Sequence, residues 1–157
     1  MTVAQIDDVV RDRAARSLGK AHDRIHRTAA ALLEARGASG TLLDAGCGTG
    51  DLWRVLSPRF TACVGVDAVR YPGLPEDVAF RAANLDAALP LDDASVDTAA
   101  AIEVIEHLEN PRAFVRELVR VTRPGGWVVL TTPNQLSALS LACLVAKGAF
   151  AAFQDGD

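Results

Sequence analysis

The stretch TLLDAGCGTG, Thr41 to Gly50, decides the fold. Its first five residues, TLLDA, read as a short, mainly apolar strand; three of the last five are glycine. A strand that runs straight into a glycine-rich turn is the junction at which open α/β sheets bind ligands, beyond the carboxyl ends of the strands. Glycine there lets the backbone approach a ligand closely and adopt positive φ. Downstream the pattern repeats. TACVGVD (61–67), VAFRAAN (78–84), VDTAAAIE (96–103) and WVVLTT (127–132) read as further strands. DLWRVLS (51–57) and NPRAFVRELVRVT (110–122) read as helices. Asn110 suits the N-cap of the second helix and Pro111 its first turn, where a missing N–H costs nothing. Phe114, Val115, Leu118, Val119 and Val121 are expected to form its buried face, and RPGG (123–126) a tight turn after it. Alternating strands and helices predict a parallel sheet with helices on both faces. Upstream, residues 3–36 read as helix broken near Gly19, with Ile25, Ala29, Leu32 and Leu33 on one face, and GASG (37–40) stops it.

Composition bounds the function. The 157 residues are one domain's worth, half hydrophobic and 23% charged, as in ordinary globular chains. A net charge of −4 with scattered arginines gives no reason to expect a nucleic-acid surface. Cys47, Cys63 and Cys143 lack CxxC spacing, so neither a disulfide framework nor a zinc site is suggested, and a reducing cytoplasm is the default. No basic stretch followed by an apolar run opens the sequence as a secretory signal would. The longest apolar run, Leu136 to Ala146, falls short of the roughly 20 residues that span a bilayer.

Two ligands compete for the glycine turn. A dinucleotide expects G-x-G-x-x-G with phosphates on a helix N-terminus. Here the spacing is G-x-G-x-G, and Asp44 and Asp51 flank it. Carboxylates at both edges would repel a pyrophosphate and suit a cationic ligand without phosphate. Asp67 ends the next strand, 17 residues after Gly50, where a carboxylate can accept both hydroxyls of a ribose. S-adenosylmethionine (SAM) combines a sulfonium, an ammonium and an adenosine, and meets each requirement.

With those residues in view, the sequence resembles the class I SAM-dependent methyltransferases, type 11/type 23 branch. LLDAGCGTG looks like their first motif, VGVDA (64–68) their second, NLDAALPLDDASVD (84–97) the adenine segment, and residues 102–134 the stretch from the fourth strand to the fifth. The resemblance implies a Rossmann-like three-layer α/β sandwich whose mostly parallel sheet has the family order 3-2-1-4-5-7-6. It implies a helical lid over residues 1–40, a SAM-binding core over 41–135 and an apolar helical tail over 136–157, with the last two strands lacking. It implies that Gly46, Cys47, Gly48 and Gly50 line the methionine part of SAM while Asp44 faces its ammonium. Asp67, with Ala68 beside it, would bind the ribose; Asn84 and the backbone of Leu85 would hold the adenine; Glu103 would close the pocket. Asp86, two residues beyond Asn84, offers a second acceptor for the adenine amine.

The resemblance further implies methyl transfer to a small molecule, oxygen favoured, with release of S-adenosylhomocysteine. The rival readings are a SAM-binding module without activity and a metal-dependent RNA 2′-O-methyltransferase. For the latter, Glu103, Glu106 and His107 in EVIEH resemble a metal-binding pattern, but TTPNQLSALS (131–140) lacks that branch's tyrosine and further asparagine. No metal ligand is therefore assigned. His107 is the candidate general base, because an imidazole titrates near neutrality. His22 and His26, one helical turn apart, read as a solvated helix face, and Cys47 as a small filler with no base to activate it. Lacking two strands, WVVLTT would form an uncovered sheet edge that a second copy or Leu136–Phe153 could cover.

Overall fold

A computed structural model of the chain describes residues 23–147 together with Arg11. The predicted helical positions before Asp23, Arg11 apart, and the end of the tail after Lys147 lie outside the described residues. The elements are α1 (Asp23–Ala35), β1 (Gly40–Ala45), α2 (Asp51–Leu56), β2 (Phe60–Asp67), β3 (Val78–Ala82), β4 (Val96–Ile102), a 3-10 turn (Ile105–His107), α3 (Pro111–Val121), β5 (Thr122–Thr131) and α4 (Ala138–Lys147). The five strands form one sheet in the order β3-β2-β1-β4-β5, every pair parallel. β1 therefore sits at the point where strand order reverses, with β2 on one side and β4 on the other, and its carboxyl end opens into a crevice.

Two apolar layers hold the sheet. Ala29, Ala30 and Leu33 of α1 pack with Leu52, Trp53 and Leu56 of α2 on one face, over Leu42, Ala100 and Ile102. Phe114, Leu118 and Val121 of α3 cover the other face, over Leu43, Val66, Ala99 and Ala101. β1 and β4 are buried on both faces over most of their length, so Leu42 and Leu43, and Ala99 to Ile102, run apolar without alternating.

Three expectations change. Leu32 is 54% exposed, and His26 takes a place in the buried face of α1 as Ala29, Ala30 and Leu33 do. The stripe 26-29-30-33 keeps helical spacing and presents two alanines, which lets α1 approach α2 closely. Val119 is 60% exposed, because α3 packs through positions 114, 118 and 121. RPGG is not a turn before the strand but a bulge within it: Val96 pairs with Thr122 and Thr98 with Trp127. Asp97, opposite the bulge, holds this edge. Its Oδ2 accepts the Thr41 N–H at 2.7 Å and its Oδ1 pairs with Arg123 Nη1 at 2.7 Å. Gly125 takes the positive φ of 83° that the bulge needs.

α3 begins as its sequence predicts, with the Asn110 side chain accepting the Ala113 N–H at 3.1 Å and Pro111 following. At its other end Arg120 binds Glu117 and Asp93 and donates to the carbonyls of Leu89 and Leu91, which fastens the loop after β3 to the helix. β5 is the outer strand among the described residues, with Trp127 and Leu130 each 36% exposed. Arg36 lies over the Trp127 ring, its guanidinium carbon 5.2 Å from the centroid, and ties the end of α1 to that edge.

Candidate functional site

The crevice begins where β1 stops. Gly46 and Cys47 both donate N–H to the Val66 carbonyl, at 2.7 and 3.3 Å, so the turn leaves β1 while still bound to β2. Gly46 has a φ of 80°, and a Cβ on it would lie 2.3 Å from Val104 Cγ2. Gly50 caps α2 with a φ of 79°, and a Cβ there would lie 2.6 Å from Pro75 Cδ. Glycine is thus required at both ends of the turn, for handedness and for space. Cys47 is buried between them, its sulfur set against the backbone of Gly65, and burial pushes its thiol well above the usual range. It is a filler, as its sequence context suggested, and no nucleophile.

Asp67 is bound into the turn rather than merely near it. Its Oδ2 accepts the Gly48 N–H at 2.9 Å and its Oδ1 the Ala68 N–H at 2.7 Å. Burial raises its pKa, against the pull of backbone N–H groups of Gly48, Ala68 and Val69. Each oxygen keeps a further lone pair for a ligand hydroxyl. Asp44 has the opposite environment. It is 2% exposed, and its carboxylate forms no ion pair among the described residues. Burial first, then the charges of Asp67 and Asp51, lift its pKa from 3.8 to about 7. Asp51, by contrast, is partly neutralised by Arg54 Nη1 at 2.7 Å and accepts the Thr49 hydroxyl at 3.0 Å. Of the two carboxylates, Asp44 is therefore the one left without an ionic partner among the described residues.

The other candidates lie around the same rim. Asn84 Oδ1 accepts the Asp86 N–H at 3.0 Å, and Asp86 Oδ1 accepts the Asn110 N–H at 2.9 Å. These bonds shape the loop after β3 and leave Asn84, Leu85 and Asp86 half-buried there. Glu103, just past β4, has a φ of 55°, which is rare outside glycine. Thr131 at the end of β5 holds it: the hydroxyl accepts the Glu103 N–H at 3.0 Å and donates to Glu103 Oε1 at 2.8 Å. Glu106 Oε2 is buried without a hydrogen-bond partner, and burial raises the carboxyl's pKa. His107 closes the 3-10 turn and is exposed. No cluster of three His, Cys, Asp or Glu able to hold a metal occurs among the described residues, so Glu103, Glu106 and His107 do not converge as the metal pattern would require.

His26 is the residue the sequence reading misplaced. It is 7% exposed, its Nδ1 is buried without a partner, and the charges acting on it belong to Asp51, Asp23 and Glu103. α1 ends at Ala35, just before β1 begins at Gly40, so its first turn lies toward the carboxyl edge of the sheet, on the face it shares with α2. A groove of about 630 Å³ between α1 and α2 is lined by Arg27, Glu34, Val55 and Arg59, among others, but by none of these crevice residues.

Comparison with known proteins bears on this site. A family model described as a methyltransferase domain matches residues 13–152. A protein of Mycolicibacterium smegmatis described as a probable SAM-dependent methyltransferase is 37% identical over 123 residues, 73% of this chain and 46% of that protein. The ubiquinone biosynthesis O-methyltransferase of Paracidovorax citrulli is 29% identical over 115 residues, 66% of this chain and 48% of that one. Among solved structures, a SAM-dependent methyltransferase of Aquifex aeolicus shares the fold with a TM-score of 0.60 at 17% identity, over 85% of this chain and 84% of that one. The chain spans about half the length of the curated relatives it matches.

Proposed function

This chain belongs to the methyltransferase domain family, and from that premise we propose that the whole protein transfers the methyl group of SAM to a small-molecule acceptor, at oxygen. The observation that carries the reading is Asp44: a buried carboxylate that forms no ion pair among the described residues, set against a turn in which Gly46 and Gly50 have no room for a side chain. SAM fits there. Its methionine end carries a positive charge to set beside Asp44, and Gly46, where a Cβ would meet Val104 Cγ2 at 2.3 Å, lets the turn pack closely against Val104. Asp67, fixed by two backbone donors, presents its remaining lone pairs to the ribose hydroxyls. Asn84 and Leu85 flank the adenine, and Glu103 closes the crevice. SAM supplies an electrophilic methyl on sulfur; the residues of this chain bind, orient and exclude water, and most of the acceleration comes from such positioning.

Oxygen as the acceptor atom is supported by relatives named as O-methyltransferases. Besides the ubiquinone enzyme, the tocopherol O-methyltransferase of Arabidopsis thaliana is 33% identical over 104 residues. The test is calorimetric titration with SAM of the parent chain and Asp67→Ala, followed by an assay for S-adenosylhomocysteine with catechol and simple phenols. Micromolar binding weakened by the substitution, with product formed, supports the reading. Binding without product from any acceptor leaves a cofactor-binding module, and no binding by a folded chain refutes the site.

A further inference from the structure

We propose that His26 is the proton acceptor of the transfer site, its Nδ1 facing the place where the acceptor's O–H gives up its proton. The proposal rests on the SAM-binding reading above and adds a residue to it. Three observations carry it. First, α1 spends a position of its buried stripe on an imidazole, while Leu32 of the same helix stays in water. Second, Nδ1 is buried with no hydrogen-bond partner, which for a polar atom in a packed helix face is a cost that calls for a ligand. Third, the place is the crevice itself. α1 ends at Ala35, just before β1 begins at Gly40, so His26 near its start lies at the level of the strands' carboxyl ends, where α2 begins beside the switch point.

The chemistry follows from the surroundings. A hydroxyl attacking a sulfonium methyl must lose its proton. In the step, the acceptor oxygen forms a bond to the methyl carbon, the carbon–sulfur pair returns to sulfur, and the O–H proton passes to His26 Nδ1. The imidazolium then releases it to water. Burial lowers the pKa of His26, so the ring is neutral and ready to accept near neutrality; Asp51, Asp23 and Glu103 oppose that shift and steady the imidazolium once it forms. The sulfonium charge disappears in the same step, so holding the proton becomes less costly as the reaction proceeds. Exposed His107 has no comparable enclosure.

The experiment is a pH titration of the histidine-labelled chain by NMR, following the Cε1–H signals with and without SAM and S-adenosylhomocysteine. His26 is assigned by elimination, using His22→Gln and His107→Gln. The expected result is that its signal shifts with SAM over the concentrations at which calorimetry shows saturation. Its pKa should fall further with SAM than with S-adenosylhomocysteine, which lacks the sulfonium charge. A His26 signal that ignores bound SAM overturns the proposal while leaving the cofactor site standing; no saturable binding overturns both. The second arm uses catechol as probe acceptor. His26→Gln should retain SAM affinity, lose about 100-fold or more in kcat and lose the fall in rate on the acidic side of the pH profile. An equal kcat overturns the proposal, and where the parent does not turn catechol over, the spectrum decides.

Discussion

Replacing Asp44 by Asn should stabilise the chain while destroying its binding site, and the size of the gain should depend on pH. In the fold the carboxyl titrates at about 7 instead of 3.8, chiefly because burial disfavours its charge and secondarily because Asp67 and Asp51 are near. The unfolded chain ionises Asp44 in water at its ordinary pKa. The stability of the protonated form is therefore fully present below 3.8 and is lost as pH rises through about 7. Each pH unit between those values removes about 1.4 kcal/mol, so above pH 7 the charged carboxylate costs ~4 kcal/mol. Asn stands in for the neutral form at every pH. Urea unfolding of parent and Asp44→Asn at pH 5, 6, 7 and 8 should show a difference that widens toward ~4 kcal/mol and then levels off. SAM should act in the opposite sense. At 100 times its dissociation constant it should add about 2.7 kcal/mol to the parent and far less to the variant. Stability profiles that run parallel from pH 5 to 8 would refute the account of Asp44 as an uncompensated buried charge.

Other residues give sharper, smaller tests. Gly46→Ala must hold a φ of 80° and place its methyl 2.3 Å from Val104 Cγ2. The backbone costs about 1–2 kcal/mol and the overpacking about 1–3 kcal/mol. Adding Val104→Ala should recover only the second part of that loss, as read by urea midpoints. Asp67→Ala removes the acceptor of the Gly48 and Ala68 N–H groups together with the ribose contact, so SAM affinity should fall by about 10- to 100-fold; unchanged affinity would remove Asp67 from the site. Arg120→Ala cuts the ties to Glu117, Asp93 and two carbonyls and should cost about 1.5–3 kcal/mol without altering SAM affinity. A loss under about 0.5 kcal/mol would show that the loop is held by its apolar residues alone.

The order of elements was legible because it rests on short-range pattern. A short strand, TLLDA, running into three glycines, an acid at the next strand end and a capped helix with Pro at its start are each local signals. The strand order matched the family's first five strands for the same reason. Rotation of α1 was not legible. Hydropathy favours Ile25 and Leu32, but the helix is turned so that Ala29 and Ala30 meet α2, and that choice depends on the shape of a partner distant in sequence. His26 was misread with it, since a histidine one turn from Asp23 and next to Arg27 has the local look of a wet face. RPGG was misread differently. Gly and Pro mark a departure from regular pairing, but they do not say whether the chain resumes the same strand, as it does here opposite Asp97. Thr131, which holds Glu103 in its left-handed conformation, carried no signal in the sequence, because the two residues meet only through the register of β4 and β5.

The contrast between Asp44 and Asp67 explains why two aspartates of one crevice serve a ligand differently. Both are buried at the carboxyl edge, one strand apart. The chain satisfies Asp67 itself, through two backbone donors that the turn aims at its two oxygens. That carboxylate is fixed in direction and can discriminate by hydrogen-bond geometry, as recognition of a vicinal diol requires. Asp44 has no such donors in its account: burial and the like charges of Asp67 and Asp51 all act against its ionised form. In water such a charge would be hydrated and worth little to an incoming cation, but in a low-dielectric crevice the same charge attracts it strongly. The instability and the affinity are therefore one property seen without and with the cation. A substitution that relieves the first by removing the charge, Asp44→Asn, should remove the second, and a SAM titration that found affinity intact in that variant would show that Asp44 is not where the positive charge binds.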